Sequence, residues 1–321
     1  MKYTMAPMEG IGGFLYRNVQ ESLFPGADSY YAPFITTTEK DRVASHYLTD
    51  LLPVNNRVNR LVPQIMANDA GAFLRMADKV KELGYDEVNL NLGCPSGTVT
   101  KKGRGAGFLG EREKLAAFLD AIFAVDHGYA ISIKTRVGIE DEDEIDQLIP
   151  IFASYPIREL TIHPRLLRDG YKHDVRLNAF EKAYRALKCP VQYNGDIRCA
   201  NDRDIILKNY DGVSGVMIGR GALADPAIFR TMKGGLPLER QELLVFSQTL
   251  EDVFLRNYRS RHTVTIKMKE VWVHLSESFD NCREPFRALL KAQNLEELNI
   301  AVTMFLDEAE LIPGRIRGIY L

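Results

Sequence analysis

The feature that most constrains this chain is a recurrence. Eight short runs rich in apolar, β-branched and aromatic residues follow one another: Tyr3 to Met8, Ser29 to Ile35, Leu61 to Met66, Glu87 to Leu92, Ala130 to Arg136, Glu159 to His163, Pro190 to Asn194 and Gly215 to Ile218. Between them, Phe73 to Leu83, Glu113 to Val125 and Glu144 to Ser154 space their apolar residues as amphipathic helices do. An interval of about 25 to 40 residues suits one strand plus one crossover helix, the connection that parallel strands require. Eight such units in about 230 residues predict an α/β fold of the (β/α)8 TIM-barrel kind. A doubly wound open sheet uses the same units and differs only in closure. The ends of the runs favour the barrel: Met8, Gln64, Asn91 with Cys94, Lys134, His163, Asn194 and Gly219-Arg220 all sit at or just past a strand end. A barrel gathers such residues on one face, where these enzymes keep their active sites.

After Pro226 the pattern changes, and from Arg240 to Leu311 the apolar spacing reads as three or four helices. The expected division is a barrel over residues 1–235 and a small all-helical domain over residues 236–321. Gly234-Gly235-Leu236-Pro237 reads as the linker.

Composition excludes several classes. Lys and Arg number 41 against 43 Asp and Glu, a net charge of −2, so a polyanion must be held by a local patch rather than by the whole chain. Cys94, Cys189, Cys199 and Cys282 are scattered without a Cys-x-x-Cys pair, which suggests neither a metal site nor a disulfide framework. No apolar run approaches the roughly 18 residues of a membrane span, and the N-terminus enters a strand-like run without a signal-peptide core. A cytoplasmic, monomeric protein is the expectation.

The strand ends carry the chemistry. Asn194-Gly195-Asp196 and Gly219-Arg220-Gly221 follow the seventh and eighth runs, where many barrels hold a phosphate on backbone N–H groups. Either glycine turn alone is as well explained by tight turning; the pair, with Arg220 inside it, favours a phosphorylated cofactor or substrate. Gly105-Ala106-Gly107-Phe108-Leu109-Gly110 matches Gly-x-Gly-x-x-Gly but lies well beyond its nearest strand, so it is not a dinucleotide fingerprint. Alternation in Ile131-Ser132-Ile133-Lys134-Thr135-Arg136 points Lys134 inward with Ser132 and Arg136. Lys134 suits a Schiff base, positive charge beside an anionic ring, or a stem lying along the barrel rim. His163 suits an acid, a base or a fixed donor, against the plain reading of a satisfied core histidine. Cys94, in a Gly/Pro turn past a strand end, suits a nucleophile when ionised and a general acid when protonated; a small buried hydrophobe is the bland alternative.

Taken in order, Ala6-Pro7-Met8, Pro63-Gln64-Ile65, Asn89-Leu90-Asn91-Leu92-Gly93-Cys94-Pro95, Lys134-Thr135-Arg136-Val137-Gly138, Thr161-Ile162-His163-Pro164-Arg165 with Tyr171, Tyr193-Asn194-Gly195-Asp196-Ile197 and Met217-Ile218-Gly219-Arg220-Gly221 resemble the motifs of the flavin-dependent tRNA-dihydrouridine synthases. The resemblance covers residues 1 to 230 or so, and the helical tail stands where that family has its smaller RNA-binding domain. It implies an FMN at the barrel mouth, reduced by NADPH, with hydride passing to C6 of a uracil in tRNA and Cys94 protonating C5. It implies that Ala6, Pro7, Met8, Gln64, Asn91, Lys134 and His163 contact the flavin, and that Asn194, Gly195, Asp196, Gly219 and Arg220 hold its phosphate and ribityl chain.

The target base would have to leave its stack, so basic contacts and a flexible access loop are expected. Lys101, Lys102 and Arg104 suit that loop; Arg165, Arg168, Lys172 and Arg176 form a second basic cluster, with Tyr171 among the expected substrate contacts, and the tail contributes Lys267, Lys269, Arg283 and Arg287. Three rivals stand beside this reading: a dihydroorotate dehydrogenase-like flavin barrel acting on a free small molecule, a Schiff-base aldolase using Lys134, and a non-catalytic RNA-binding module. The helical tail speaks against the first, since a small-molecule enzyme has no need of it.

Overall fold

A computed structural model describes residues 1–37 and 45–312. In chain order the barrel comprises β1 (Lys2–Met5), α1 (Phe14–Leu23), β2 (Ser29–Tyr31), β3 (Ile35–Thr36), α2 (Ser45–Leu51), β4 (Leu61–Val62), β5 (Gln64–Met66), α3 (Ala70–Glu82), β6 (Glu87–Leu92), α4 (Gly97–Thr100), α5 (Arg112–Phe123), β7 (Ala130–Gly138), α6 (Ile145–Ala153), β8 (Leu160–Leu166), α7 (Leu177–Ala186), β9 (Val191–Asn194), α8 (Ala200–Asn209), β10 (Gly215–Ile218), α9 (Arg220–Ala224) and α10 (Ile228–Met232). The tail follows as α11 (Arg240–Asn257), α12 (Arg261–Leu275), β11 (Phe279–Asp280), α13 (Arg283–Lys291), α14 (Leu295–Glu308) and β12 (Glu310–Leu311).

The large sheet is parallel throughout, and its strands run β3-β5-β6-β7-β8-β9-β10-β1-β2-β4. Ten segments make eight strands, because β2 and β3 are two halves of one strand and β4 and β5 two halves of the next. Pro33 and Pro63 stand at the breaks, and proline has no N–H to give to a ladder. Since β2 pairs with β4 and β3 with β5, the two ends of the series are the same pair of strands, and the sheet closes on itself. Tyr31 pairs with Val62 and Ile35 with Ile65, so the second strand carries one residue more than the third between these points, a bulge.

Alternation sorts the side chains. Ile65, Leu90, Ile133, Ile162, Tyr193 and Val216 are buried in the apolar layer under the helices. The opposite parity is polar: Thr4, Gln64, Asn89, Ser132, Thr161 and Gln192 are buried and bonded to one another. Barrel interiors are commonly filled with branched aliphatic residues; this one is wired with hydrogen bonds. Continuing the same parity towards the strands' C-terminal ends brings Asn91, Lys134, His163 and Asn194 to the mouth.

Among the described residues the tail has four α-helices, where the apolar spacing predicts three or four, together with a two-residue antiparallel pairing of β11 and β12 that the all-helical expectation lacks. Residues 313–321 of the expected second domain lie outside the described residues. The tail shares one apolar core with the barrel: Phe246 of α11 meets Tyr16 edge-on, with ring centroids 5.7 Å apart, and also Phe24. The glycine-rich connection is pinned rather than loose, because Arg230 donates to the carbonyls of Leu236 and Pro237 and forks onto Glu242. No helix of the described residues is long and apolar enough to cross a membrane.

Candidate active site

The C-terminal mouth of the barrel holds a cavity of about 360 Å³, lined by Ala6, Pro7, Met8, Gln64, Asn91, Cys94, Lys134, His163, Asn194, Gly195, Asp196, Gly219 and Arg220, among others. The expected catalytic and flavin-contacting residues are thus brought together.

On one side a directed chain of neutral side chains rises through the barrel. Ser132 Oγ accepts from Asn89 Nδ2 at 2.9 Å, Asn89 Oδ1 from Gln64 Nε2 at 2.7 Å, and Gln64 Oε1 from Asn91 Nδ2 at 2.7 Å. Asn91 Oδ1 then accepts the backbone N–H groups of Gly93 and Cys94, each at 3.0 Å. The turn that carries the thiol is therefore fixed from inside the barrel. From outside, Ala106 N–H donates to Cys94 O at 3.0 Å, and Gly105 (φ +56°) packs so closely that a Cβ there would lie 2.8 Å from that oxygen and 3.1 Å from Cys94 Cβ. The Gly-x-Gly-x-x-Gly stretch is a 3₁₀ helix, Gly105–Gly110, folded back onto this turn. Burial is the main influence on the Cys94 thiol and raises its pKa; the Ser96 backbone N–H and the cations Arg136 and Lys134 oppose the shift without cancelling it. At neutral pH the group keeps its proton.

Lys134 is the other buried titrating group at this level. Desolvation, helped by Arg136, lowers it to about 7. Arg136 itself is fully buried and donates to three carbonyls: Gly93 at 2.9 Å, Leu166 at 2.7 Å and Gly170 at 2.8 Å. It ties the Cys94 turn to the loop bearing Tyr171. The inward alternation of Lys134 and Arg136 was the sequence signal for this role.

The opposite side is charged. Asp196 stands between two guanidinium groups, Arg165 at 2.5 Å and 3.1 Å and Arg220 at 2.9 Å. This grip accounts for its φ of +48°, unusual for a residue other than glycine. Arg165 Nη1 also lies 3.0 Å from His163 Nε2. Guanidinium only donates, so Nε2 accepts and the ring proton sits on Nδ1. Burial, reinforced by Lys134, Arg136, Arg165 and Arg220, pushes the His163 pKa well below its ordinary value, which makes the ring a neutral, fixed donor. Asn194 Nδ2 donates to Met217 O at 2.8 Å and ties the two glycine turns together.

The donor set is two-ended: amides, an ammonium and a neutral imidazole at one end, and Arg198, Arg220 and the glycine turns at the other. It fits FMN, which has a polar ring edge at one end and a phosphate at the other. The sequence profile of the dihydrouridine synthase (Dus) family matches residues 4–309. The chain belongs to the dihydrouridine synthase family. A probable tRNA-dihydrouridine synthase of Staphylococcus epidermidis is 30% identical over 236 residues, covering 71% of this chain and 70% of that protein. A tRNA-dihydrouridine(16) synthase of Ralstonia nicotianae is 26% identical over 309 residues, covering 92% and 94%. Among solved structures, morphinone reductase (12% identity, TM-score 0.53, 74% of this chain and 87% of that one) and a 2-naphthoyl-CoA reductase (10%, 0.56, 73% and 50%) share the barrel fold.

In this dihydrouridine synthase family member the residues expected at RNA are scattered in circumstance. Lys101 and Lys102 are exposed beside the cavity mouth, but their loop is anchored, since Asn68 bonds both Lys102 O and Arg104 Nε. Tyr171 is 53% exposed, with Arg136 and Arg220 each 5.3 Å from its ring centre. Arg168 faces Glu140 at 3.5 Å on the surface. Arg165, expected at the RNA surface, is 3% exposed and engaged by Asp196, His163 and the carbonyl of His173. Lys267 bridges to Gly10 O and Glu270, and Lys269 donates to the carbonyls of Leu290 and Ala292 at the end of α13. His274 of α12 and Glu9 also line the cavity, and neither was expected. Nothing in the sequence pattern of the tail marks which of its residues faces the barrel.

Proposed function

We propose that this protein is an FMN-dependent tRNA-dihydrouridine synthase. One observation carries most of the weight: a thiol kept in its protonated state shares a cavity with a buried lysine, a neutral histidine, two amides and two glycine turns. FMN held at this mouth and reduced by NADPH would supply a hydride for C6 of a uracil base. Cys94 gives the matching proton: its S–H bond breaks, a C–H bond forms at C5, and the thiolate left behind is flanked by Arg136 and Lys134. A general acid benefits from the raised pKa, since a thiolate has no proton to give. Lys134 offsets negative charge on the ring, His163 offers Nδ1–H as a hydrogen-bond donor, and Gln64 and Asn91 present amide groups to the ring edge. Asn194, Gly195, Gly219 and Arg220 hold the phosphate and ribityl end, with Ala6, Pro7 and Met8 as an adjoining wall. Asp196 and Arg165 act one step back, Asp196 by fixing Arg220 and Arg165 by fixing His163.

The substrate reading assigns residues 1–235 to catalysis and residues 236–321 to RNA binding. Lys101, Lys102, Arg104 and Tyr171 are the contacts we assign to tRNA at the mouth, with Arg168 at the periphery. A relative that covers 92% of this chain is named for position 16, which makes uridine 16 the first position to examine.

An absorption spectrum of the purified protein, followed by NADPH addition without oxygen, tests the reading. A yellow protein that bleaches, and regains colour only when uridine-containing tRNA is added, supports it. A protein that stays colourless after FMN addition removes the flavin from the account and returns Lys134 to the Schiff-base reading.

A further inference from the structure

The helical tail reaches the cavity at one point. His274, on the last turn of α12, joins Gly195, Arg198, Gly219 and Arg220 in the lining, and no other side chain beyond Gly221 does so among the described residues. Its direction is set by packing. Val271, Trp272 and Leu275 of the same helix are buried, and Trp272 Nε1 donates to Ser247 Oγ at 3.0 Å. Just past the helix, Ser278 Oγ donates to Ala224 O at 2.8 Å, which fixes the end of α12 against α9 and the turn before it. One ring nitrogen is committed: Nδ1 lies 3.3 Å from Oε1 of the buried Glu277. The other, Nε2, has no partner among the described residues. The cavity it lines also holds Arg198, Arg220 and the glycine turns, α12 packs on α9, which begins at Arg220, and Asp196 is already occupied by two guanidinium groups. An unspent nitrogen among cations calls for an anion.

We propose that His274 is a phosphate-binding residue of the flavin site, donating Nε2–H to the 5′-phosphate of FMN while Glu277 accepts from Nδ1 and holds the ring. This rests on the flavin reading above. It adds that the tail helps to retain the cofactor, and that the site tells FMN from riboflavin partly through a residue outside the barrel. In this arrangement both ring nitrogens donate, one to a phosphate and one to a carboxylate.

Flavin-free full-length protein is titrated with FMN and, separately, with riboflavin, following quenching of flavin fluorescence. In His274→Phe, FMN affinity is expected to fall about tenfold or more, the loss typical of a hydrogen bond to a charged group. Riboflavin affinity is expected to stay within about twofold, since riboflavin has no phosphate. Glu277→Gln, which leaves the imidazole but loosens its hold, should shift the FMN-to-riboflavin ratio in the same direction by less. An unchanged ratio in both variants overturns the proposal. Should His274→Phe fail to fold, as circular dichroism would show, Glu277→Gln alone decides by the same criterion. If the unsubstituted protein binds neither flavin, the functional reading fails, and that outcome is distinct from an unchanged ratio.

Discussion

The two sides of the cavity are built on opposite principles. The side formed by β5, β6 and β7 positions its reactive group mainly through neutral side chains, from Ser132 through Asn89, Gln64 and Asn91 to the backbone of Cys94, with Arg136 as a single cation bonded to the same turn at Gly93 O. The side formed by β8, β9 and β10 is held by charge, with Arg165 and Arg220 on Asp196. The difference has a chemical reason. A proton donor must not be ionised by its surroundings, and an amide ladder orients without adding charge. An anion holder needs positive potential, and a carboxylate shared by two arginines keeps both in place.

Four experiments break or sharpen this contrast. The largest effect is expected from Cys94→Ala, which removes the proposed proton donor: dihydrouridine formation should fall by about 10² to 10⁴, the usual contribution of a general acid. Flavin content should not change, and its loss would mean that the two sides are not separable. Next comes Arg165→Met. It takes from the partly exposed Asp196 one of its two guanidinium partners and leaves it Arg220, so it should cost about 1 to 3 kcal/mol in urea unfolding, the range for hydrogen bonds to a charged group. A loss below about 1 kcal/mol would make the pair equivalent to a surface one.

A smaller effect is expected from Gly105→Ala. The residue sits at φ +56° against Cys94, so turnover should drop by about tenfold through displacement of the thiol, with FMN affinity intact. Unchanged turnover would show that Asn91 and Arg136 hold the Cys94 turn without help from the packing of Gly105. The gentlest test is a pH series on flavin-free protein. Lys134 has a folded-state pKa near 7 and an ordinary value of 10.5, so between these the unfolded chain binds more protons and stability rises with pH. The advantage of Lys134→Met over the unsubstituted protein should therefore shrink from pH 7 to pH 10, by roughly 1 kcal/mol per pH unit at most. A flat difference would place the ammonium in water.

Much of this was legible in the chain, for identifiable reasons. Glu87 to Leu92 and Gly215 to Ile218 are found at their expected bounds, since continuous apolar or alternating runs between turn residues leave little choice. The inward parity of Ser132, Lys134 and Arg136 followed from a period of two. Partners were not legible. Arg165 reads as a surface cation until Asp196, thirty-one positions away, folds against it. Lys267 and Lys269 look like RNA contacts because a sequence displays charge and not the carbonyls that absorb it. His274 was invisible for the same reason: helical periodicity tells which face is buried, not what lies opposite.

The barrel wall also has a joint. At Pro33 and Pro63, β2 hands over to β3 and β4 to β5, and between the bond Ala32 N–H to Val62 O and the Ile35–Ile65 pair the ladder is interrupted. A hoop under stress opens where it was fastened. Hydrogen exchange across the eight strands should accordingly be fastest along this line, beside Phe34 and Gln64 of the cavity lining, and slowest away from it, where β7 and β8 run longest.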